Sequence, residues 1–478
     1  MAKKNILFVS SEAVPFIKTG GLADVAGTLP EYFNKRKYDV RVILPKYACM
    51  KGEYKDKLDF KFSTTVRLAG RNQYAGVFEY KHNNVTYYFI DNEFYFNSQT
   101  PYGESRGDIE KFAFFCRAVL SVMPEIGFKP DIIHCHDWQA SMIPVYLFDE
   151  IKKTDFYKDV KTVFTVHNLK FQGVYSKEIV EDVLGISNNY FDKGIIEAYG
   201  DVNLLKGGLT YSDKITTVSN SYAQEIKTPF YGEGLDSFIR MREKDLIGIV
   251  NGIDYKTFNP ETDEMIYKNY SADTLEDKME NKLQLQSEMG FEADKDVMLI
   301  GIVSRLTGQK GFDLVDCVLD ELLKDNVQLV VLGTGEQRYE EMFKYFENRY
   351  PEKLKVNLCF SEELSHKIYA GCDAFLMPSL FEPCGLSQLM SLRYGTLPIV
   401  RETGGLRDTV IPYNNEKATG FSFSNYNAHD MLYTIRYAQR VFEDKKEWTK
   451  IVKRAMKADF SWKSSAKEYE KLYDQTVE

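Results

Sequence analysis

An acid, a glycine turn and a second glycine loop lie close together in the last third of the chain. The apolar run 374–378 leads to Glu382 and a Pro-Cys-Gly turn, and a second apolar run, 397–400, leads to the pair Gly404 and Gly405. In an open α/β sheet, ligands bind outside the carboxyl ends of strands, where helices begin with free N–H groups and a partial positive charge. The segment therefore predicts half of a site for a phosphorylated ligand, with the Glu382 carboxylate directed into it.

Two cations follow another strand-like segment. Arg305 and Lys310 come just after the apolar run 297–303, with Gly308 and Gly311 beside them. A planar guanidinium and a lysine point charge suit a diphosphate leaving group on which negative charge develops. Isolated Arg and Lys side chains are usually solvated surface groups, so the flanking Thr-Gly-Gln sequence and Gly311 are what make this pair a candidate.

Four glycine-bearing loops follow predicted strands, at 18–21, 305–310, 333–336 and 403–405. Glycine lets the backbone approach a ligand closely or adopt a positive φ. Taken singly, each loop is better interpreted as an ordinary tight turn, because none is a complete G-x-G-x-x-G or a P-loop. Four such loops across two predicted domains, two of them carrying cations, favour a shared phosphate site.

Histidines follow two further predicted strands. His134, His136 and Asp137 resemble a metal-ligand cluster, but neighbouring residues at a strand end point in different directions, and the chain has only six histidines. A loop of hydrogen-bonding groups is therefore favoured over a metal site. His167 ends another predicted strand; a buried structural histidine is the alternative, but that position favours a role in a site.

Composition excludes several classes of protein. The chain has 478 residues, which is long enough for two domains. Its net charge of −9 disfavours nucleic-acid partners and anionic membranes. Seven scattered cysteines without a Cys-x-x-Cys pair fit a reducing cytoplasm. The first apolar run, 6–9, is too short for a signal peptide. A hydrolase nucleophile elbow and a full dinucleotide fingerprint are both missing.

Strands and helices alternate along both halves of the chain, which predicts two α/β domains with parallel sheets. Strands are predicted at 5–10, 40–44, 131–134, 162–166, 214–218, 246–250, 297–303, 327–332, 355–360, 374–378 and 397–400. Residues 60–90 alternate polar and apolar side chains around Asn83 and Asn84, which predicts antiparallel hairpins inserted beside the first sheet. The forty polar residues after Asp254 are predicted to be a crossover into the second domain. The predicted boundaries are 1–250, 251–459 and a final helix in 460–478.

Seven motifs together resemble the bacterial glycogen synthases and plant starch synthases, in order and at similar spacing from residue 5 to about 425. They are Lys-Thr-Gly-Gly-Leu-Ala-Asp at 18–24, His-Cys-His-Asp-Trp at 134–138, Thr-Val-His-Asn at 165–168, Asn-Gly-Ile-Asp at 251–254, Ser-Arg-Leu-Thr-Gly-Gln-Lys-Gly at 304–311, Glu-Pro-Cys-Gly-Leu at 382–386 and Thr-Gly-Gly at 403–405. The resemblance implies a GT-B glycosyltransferase, with two Rossmann-like domains facing a central cleft and a last helix that returns to the first domain. It also implies transfer of glucose from ADP-glucose to the non-reducing 4-OH of an α-1,4-glucan with retention, without a metal or other cofactor.

The resemblance assigns roles to residues of the second predicted domain. Arg305 and Lys310 match the basic pair that neutralises the diphosphate, and Glu382 matches the acid that holds the glucosyl ring and supports developing oxocarbenium charge. Asn251 matches a sugar-binding amide, and Phe360, at the predicted end of a strand, matches an aromatic residue beside adenine. The other matched binding residues are Cys384, Gly385 and Leu386, together with Thr403, Gly404 and Gly405, whose N–H groups are expected to face the phosphates.

In the first predicted domain the resemblance assigns His167 to the sugar O6 and the reacting carbon, and Asp137 to the sugar pocket. Lys18 and Gly21 match the loop that closes on the donor phosphates, with Asp24 just behind it. Many related retaining enzymes carry a second acid eight positions after the first, where this chain has Met390. A mechanism with two carboxylates is therefore not expected.

Other interpretations remain open at this point. The nearest is another retaining GT-B transferase that uses UDP-glucose or a small acceptor; the Lys-Thr-Gly-Gly-Leu loop is evidence against it. A non-catalytic glucan-binding protein on the same fold is disfavoured by the intact acid, cations and histidine, and a pyridoxal-dependent phosphorylase is normally much longer. The expected partners are ADP-glucose and α-1,4-glucan, and the expected location is the cytoplasm.

Overall fold

The computed structural model of this chain describes residues 3–103, 107–414 and 416–477. The chain divides into two units. The first comprises Met1–Val218, Ala223–Ile249 and Trp462–Glu478, and the second comprises Ser219–Tyr222 and Val250–Ser461. Each unit is built on one large β-sheet that is wholly or mainly parallel.

The strands of the first unit are β1 (Lys4–Val9), β2 (Tyr38–Pro45), β3 (Asp59–Leu68), β4 (Arg71–His82), β5 (Val85–Asp91), β6 (Ile132–His136), β7 (Lys161–Val166), β8 (Val174–Tyr175), β9 (Glu197–Ala198), β10 (Asp201–Asn203), β11 (Lys214–Thr217) and β12 (Leu246–Gly248). Helices before residue 250 are α1 (Gly21–Tyr32), α2 (Gly52–Lys55), α3 (Glu93–Phe96), α4 (Gly107–Ile126), α5 (Met142–Asp149), α6 (Ile179–Asp182), α7 (Asn189–Asp192), α8 (Leu204–Tyr211), α9 (Asn220–Glu225) and α10 (Asp236–Met241). Short 3-10 turns occur at Trp138–Ala140 and Ile151–Lys153.

The large sheet of the first unit has the strand order β12-β11-β7-β6-β1-β2-β5-β4-β3. Neighbours from β12 to β5 are parallel, whereas β4 pairs antiparallel with both β5 and β3. Later strands add on both sides of β1, so the direction of winding reverses between β1 and β6. The space outside the carboxyl ends of those two strands is where an open α/β sheet binds its ligand.

The predicted hairpins between residues 60 and 90 are confirmed, with one difference in their placement. Asn83 and Asn84 form the second turn with φ angles of 46° and 62°, a conformation that Asn tolerates better than most residues. However, β5 pairs in parallel with β2, so the hairpins extend the main sheet instead of standing beside it. A small antiparallel sheet of β8, β10 and β9 is an addition that the sequence patterns do not predict.

The centre of the first sheet is buried on both faces. Four consecutive residues of β1, from Ile6 to Val9, have no exposed surface, as expected for a parallel strand covered on both sides. The last helix of the chain, Trp462–Val477, packs on α1 in this core. Its aromatic residues Trp462, Tyr469 and Tyr473 are buried there.

The strands of the second unit are β13 (Met298–Val303), β14 (Val327–Leu332), β15 (Leu354–Asn357), β16 (Ala374–Met377), β17 (Leu397–Arg401) and β18 (Phe421–Phe423). The helices are α11 (Leu275–Glu288), α12 (Phe312–Leu322), α13 (Gln337–Arg349), α14 (Glu362–Gly371), α15 (Ser387–Arg393), α16 (Gly404–Thr409), α17 (Ala428–Glu443) and α18 (Lys445–Lys457), with a 3-10 turn at Gly308–Lys310. The last helix of the chain is therefore α19. The six strands are all parallel in the order β15-β14-β13-β16-β17-β18, so winding reverses between β13 and β16.

Helix α11 lies within the predicted polar crossover and is an element that the sequence patterns do not predict. Its sequence is rich in charge, but Lys278 and Lys282 are buried against the body of the second unit. Lys278 Nζ donates to the carbonyls of Ala370 and Cys372 at 2.7 and 3.0 Å, and Lys282 Nζ lies 2.8 Å from the carboxylate of Asp373. Because these polar side chains face inward, the apolar periodicity that marks most helices is weak here.

Within the described residues 3–103, 107–414 and 416–477, no helix is long and apolar enough to cross a membrane.

Candidate active site

The predicted site residues of the first unit follow β1, β6 and β7. Asp137 comes directly after β6 and His167 directly after β7. The loop between β1 and α1 carries Lys18, and α1 begins at Gly21. All three loops leave the carboxyl ends of neighbouring strands, and β1 and β6 flank the reversal of strand order. The sequence patterns therefore placed these residues at the expected ligand edge of this sheet.

Asp137 has an unusual backbone and a desolvated carboxyl group. Its φ is 56° and its ψ is −178°, a region that only glycine adopts easily. Its Oδ1 accepts the backbone N–H of His167 at 2.7 Å. Burial is the main cause that raises the pKa of Asp137 to about 7, and the nearby Glu12 carboxylate adds to the rise. Its protonation can therefore change near neutral pH.

Glu12 is a site residue that the sequence analysis missed. It lies in the loop after β1, is 2% exposed, and its Oε2 accepts the backbone N–H of Thr19 within the Lys-Thr-Gly-Gly loop. Burial raises its pKa to about 7. Lys18 Nζ, by contrast, is half exposed and pairs with Asp24 Oδ1 at 2.8 Å. The only sequence signal for Glu12 is an acid close behind a strand that precedes a glycine loop.

His167 contacts another histidine. Its Nε2 lies 3.0 Å from His136 Nδ1, while His134 packs on His136 with ring centroids 4.2 Å apart. Burial lowers the pKa of His167 to about 3 and that of His136 well below its usual range. Both nitrogens of His134 already have partners, Tyr473 Oη and Thr165 Oγ1. Across the part of the chain that the structure describes, no group of three or more His, Cys, Asp or Glu residues could hold a metal.

The first unit has a cavity of about 610 Å³, and several residues that line it are close in sequence to Asp137 and His167. Its lining includes the aromatic rings of Trp138, Phe171 and Tyr175 and the ammonium-bearing side chain of Lys170. Trp138 directly follows Asp137, and Lys170 is in the loop that begins with His167. Aromatic faces combined with a few polar groups are suited to sugar rings, which have apolar faces and hydroxyl edges.

In the second unit, Lys310 and Glu382 form a close pair at the reversal of strand order. Lys310 follows β13 and Glu382 follows β16, and Lys310 Nζ lies 2.6 Å from Glu382 Oε2. Ser379 Oγ donates to the same oxygen at 3.0 Å. Glu382 is only 6% exposed, so its charge is compensated by a cation and a hydroxyl instead of by water. Ser379 is a second residue that the sequence analysis did not identify.

The neighbouring loop holds Arg305 and Gly308. The exposed Arg305 guanidinium makes no hydrogen bond or ion pair with any residue in the described ranges, which leaves it available to a ligand. Glu336, after β14, accepts the backbone N–H of Gly308 at 2.9 Å. Gly311 adopts a φ of 77°, and a Cβ there would lie 2.1 Å from the carbonyl oxygen of Pro378, so only glycine fits.

Two N–H groups of the Thr403–Gly405 loop have acceptors within the second unit. The N–H of Thr403 donates to Arg401 O at 2.9 Å, and that of Gly405 donates to Glu382 O at 3.1 Å. These two N–H groups are therefore engaged within the chain, whereas the sequence predicts that the N–H groups of this loop face the phosphates. The glycines instead allow close packing, because a Cβ on Gly404 would lie 2.0 Å from Glu382 O.

The turn after Glu382 is fixed by its own side chains. Gly385 has a φ of 73°, and Gln388 Nε2 donates to its carbonyl at 2.9 Å and to that of Cys384 at 3.0 Å. Cys384 is buried, which raises the pKa of its thiol to about 12, so it is no nucleophile. Leu386 precedes the first residue of α15.

Asn251 and Phe360 complete the predicted set in the second unit. Asn251 is 5% exposed, and its Oδ1 has no hydrogen-bond partner among the described residues, an arrangement that is rare unless a ligand supplies one. Phe360 is 92% exposed and lies three residues beyond the end of β15 at Asn357, so the prediction that it ends a strand is wrong.

The predicted residues therefore fall into two groups. The first unit carries Lys18, Gly21, Asp24, Asp137 and His167 in the segments that follow β1, β6 and β7, and the second unit carries Asn251, Arg305, Lys310, Phe360, Glu382, Cys384, Gly385, Leu386, Thr403, Gly404 and Gly405. Residues 5–241 match the starch synthase catalytic domain family, and residues 265–458 match the group 1 glycosyl transferases. The fold, the site and these matches together define a two-domain glycosyltransferase with parallel-sheet units.

Known proteins similar to the whole chain narrow the class. The glycogen synthase of Lachnospira eligens is 58% identical over 475 residues, which cover 98% of this chain and 99% of that protein. The glycogen synthase of Geobacillus thermodenitrificans is 51% identical over 474 residues, 99% of this chain and 98% of that one. A solved structure, the catalytic domain of starch synthase IV from Arabidopsis thaliana bound to ADP and acarbose, matches with a TM-score of 0.91 at 32% identity and full coverage of both chains. The chain belongs to the glycogen and starch synthase family and is a glucosyltransferase of glycogen synthesis.

Proposed function

We propose that the enzyme transfers glucose from ADP-glucose to the non-reducing 4-OH of an α-1,4-glucan and retains the α configuration. The observation that carries the proposal is the Lys310–Glu382 pair, with its 2.6 Å contact at the reversal of strand order in the second unit. The bound ADP and acarbose of the Arabidopsis starch synthase IV structure support a nucleotide donor and a glucan acceptor.

The second unit supplies the donor-binding groups in this proposal. Arg305 and Lys310 neutralise the diphosphate as negative charge develops on it, which lowers the barrier to its departure. Glu382 holds the glucosyl ring and supports positive charge at the reacting carbon. Its buried position strengthens both effects, because electrostatic interactions are larger where water is excluded.

Asn251 and Phe360 bind the two ends of the donor, the sugar and the adenine respectively. The unpartnered Oδ1 of Asn251 accepts a hydrogen bond from a sugar hydroxyl, which removes the cost of its burial. The exposed ring of Phe360 stacks against adenine. The Thr403–Gly405 loop acts through packing, since its glycines hold the Glu382 turn in place.

The first unit supplies groups for the reacting sugar and the acceptor. His167 and Asp137 bind the transferred sugar, and Lys18 on the glycine loop contacts the donor phosphates. The cavity lined by Trp138, Phe171 and Tyr175 receives glucose units of the acceptor chain, with the rings stacked on sugar faces.

Retention is achieved without a second carboxylate. The position eight residues after Glu382 is Met390, a partly buried side chain packed on the core. In the proposed step the leaving diphosphate oxygen accepts the proton of the acceptor 4-OH while the new glycosidic bond forms on the same face. The cations stabilise that diphosphate, so the reaction is proposed to need no metal or other cofactor, a point that activity in excess EDTA would test.

The deciding experiment compares ADP-glucose and UDP-glucose at equal concentration as donors to glycogen, with Glu382→Ala as the inactive control. Strong preference for ADP-glucose, lost in the variant, supports the proposal. Preference for UDP-glucose, or transfer only to a small glucoside, would favour the alternative donor or acceptor within the same class of retaining transferase. The cytoplasmic location is a separate prediction, tested by fractionation of the producing cells.

A further inference from the structure

The contact between His136 and His167 restricts the chemistry of the proposed catalytic histidine. A hydrogen bond between two neutral imidazoles requires a proton on one of the contacting nitrogens and a lone pair on the other. Here the contacting atoms are His136 Nδ1 and His167 Nε2, 3.0 Å apart. Burial keeps both rings neutral, because it lowers the pKa of each below the physiological range. Only two arrangements of the protons are then possible.

The far nitrogen of His136 distinguishes the two arrangements. His136 Nε2 is buried and has no hydrogen-bond partner among the described residues. If His136 accepted from His167, its own proton would be on Nε2, as a buried N–H group without an acceptor. If His136 donates from Nδ1, the atom left without a partner is only a lone pair. Buried N–H groups without acceptors are the rarer defect in folded proteins.

The ring of His136 is also held in one plane. His134 packs on it with centroids 4.2 Å apart and an interplanar angle of 31°, and Phe8 packs on it at 5.0 Å. His134 does not compete for the contact, since Tyr473 and Thr165 occupy its two nitrogens. His136 therefore has one available partner for its Nδ1, and that partner is His167.

We propose that His136 is a positioning residue that keeps His167 protonated at Nδ1, so that His167 acts on the substrate as a hydrogen-bond donor. The inference rests on the proposed function, in which His167 lies at the transferred sugar. With Nε2 occupied by His136 and a proton on Nδ1, the ring of His167 has no free lone pair. It stabilises a substrate oxygen and does not remove the proton of the acceptor hydroxyl, a task that then belongs to the diphosphate.

Nitrogen-15 NMR of the full chain labelled only at histidine tests the tautomer directly. Six histidines give few signals, and the His167 signals are identified by their loss in His167→Asn. We expect a protonated Nδ1 and an unprotonated Nε2 for His167 at neutral pH. A protonated Nε2, or a doubly protonated ring, would overturn the proposal. His429→Gln, at an exposed histidine of α17, is the control for the assignment and should leave tautomer and activity unchanged.

Two variants of His136 test the link to catalysis. Asn places an amide nitrogen near the former Nδ1, whereas Leu has a similar size and no donor. We expect His136→Leu to lower kcat about tenfold, the effect of about 1.4 kcal/mol of lost transition-state stabilisation, with little change in the KM for ADP-glucose. It should also give a mixture of His167 tautomers, and His136→Asn should restore most of both properties.

Unchanged kcat and tautomer in His136→Leu would contradict the proposal, as would an equal loss of activity in both variants with the wild-type tautomer kept. If His136→Leu does not fold, the wild-type tautomer decides alone. Failure of the chain to use ADP-glucose would refute the proposed function, while the NMR result would still decide the arrangement of protons.

Discussion

In the second unit the Glu382 carboxylate meets a cation, whereas in the first unit the Asp137 carboxylate meets backbone N–H groups. Lys310 Nζ and Ser379 Oγ both bond to Glu382, so its negative charge is compensated where it is buried. Asp137 accepts from the His167 backbone, with Glu12 as another acid nearby, and its pKa rises to about 7. The carboxyl group of the second unit therefore has a cation in direct contact, whereas that of the first unit has a charge that depends on pH near neutrality.

The two units also place backbone strain on different residues. In the second unit the left-handed positions of the site are glycines, as at Gly311, Gly385 and Gly404, with φ of 77°, 73° and 43°. In the first unit Asp137 itself has a φ of 56°. A non-glycine residue in that region costs about 1–3 kcal/mol. The first unit thus has backbone strain at a candidate site residue, whereas the second unit avoids it because its left-handed positions are glycines.

The largest expected effect comes from replacing the Glu382 carboxylate. Glu382→Gln keeps the shape of the side chain but leaves Lys310 without its counter-charge and the reacting carbon without a carboxylate. We expect kcat for transfer from ADP-glucose to glycogen to fall roughly 10³-fold, measured by steady-state kinetics. Glu443→Gln, at an exposed residue of α17, is the matched control and should behave as wild type. A loss below tenfold in Glu382→Gln would remove the contrast between the units.

Asp137→Asn is expected to lower activity and, above neutral pH, to raise the stability of the fold. Loss of a charged hydrogen bond to substrate should lower kcat/KM about a hundredfold. The folded-state pKa of about 7 lies above the ordinary value of 3.8, so the folded protein binds the proton more tightly than the unfolded one. Ionised Asp137 therefore destabilises the fold as pH rises from about 4 to about 7, and the destabilisation is complete above that window.

Asparagine cannot ionise, so Asp137→Asn should be more stable than wild type at pH 8, on the order of 4 kcal/mol, with the difference vanishing near pH 4. Urea denaturation at both pH values measures this. Glu12→Gln is the comparison, because the pKa of Glu12 is also raised to about 7 by burial. A variant stabilised equally at both pH values would show that the raised pKa of Asp137 is not the cause.

Substitution of a close-packed glycine tests whether tight packing holds the Glu382 turn of the second unit in place. A Cβ on Gly405 would lie 2.0 Å from Cys384 O, so Gly405→Ala must displace the Glu382 turn. We expect a loss of about 1–3 kcal/mol in stability and a kcat lowered about tenfold, followed by thermal denaturation and kinetics. Gly52→Ala is the matched control, since a Cβ there meets nothing within 4 Å. Equal behaviour of the two variants would exclude tight packing as the reason for Gly405.

The smallest effect is expected at the glycine loop of the first unit. Lys18 pairs with Asp24 on the surface, and exposed ion pairs contribute about 0–1 kcal/mol. Lys18→Gln should leave the midpoint of thermal denaturation nearly unchanged while raising the KM for ADP-glucose several-fold, because one phosphate contact is lost. An unchanged KM would show that this loop does not bind the donor phosphates, and the role of the first unit would then be limited to the sugars.

Prediction from sequence succeeded where local patterns carry the information. Strand β14 has the predicted bounds, and the Asn83–Asn84 turn lies where its residue types indicate. Helix α11 was not predicted, because its buried lysines are satisfied by carbonyls and a carboxylate from distant segments. The end of β15 was also misplaced, since the pairing with β14 stops at Asn357 and local propensity does not reveal that limit.

The sequence by itself determined the α/β class, the glycine loops and the family, and it supplied the candidate site residues apart from Glu12 and Ser379, because these depend on residue types and their spacing. Only the tertiary structure decided which partner each charged or titratable group meets. Lys310 and Glu382 are 72 positions apart, and His136 and His167 are 31 apart. Their contacts depend on which strands become neighbours in a sheet, and that choice is made by packing of the whole unit.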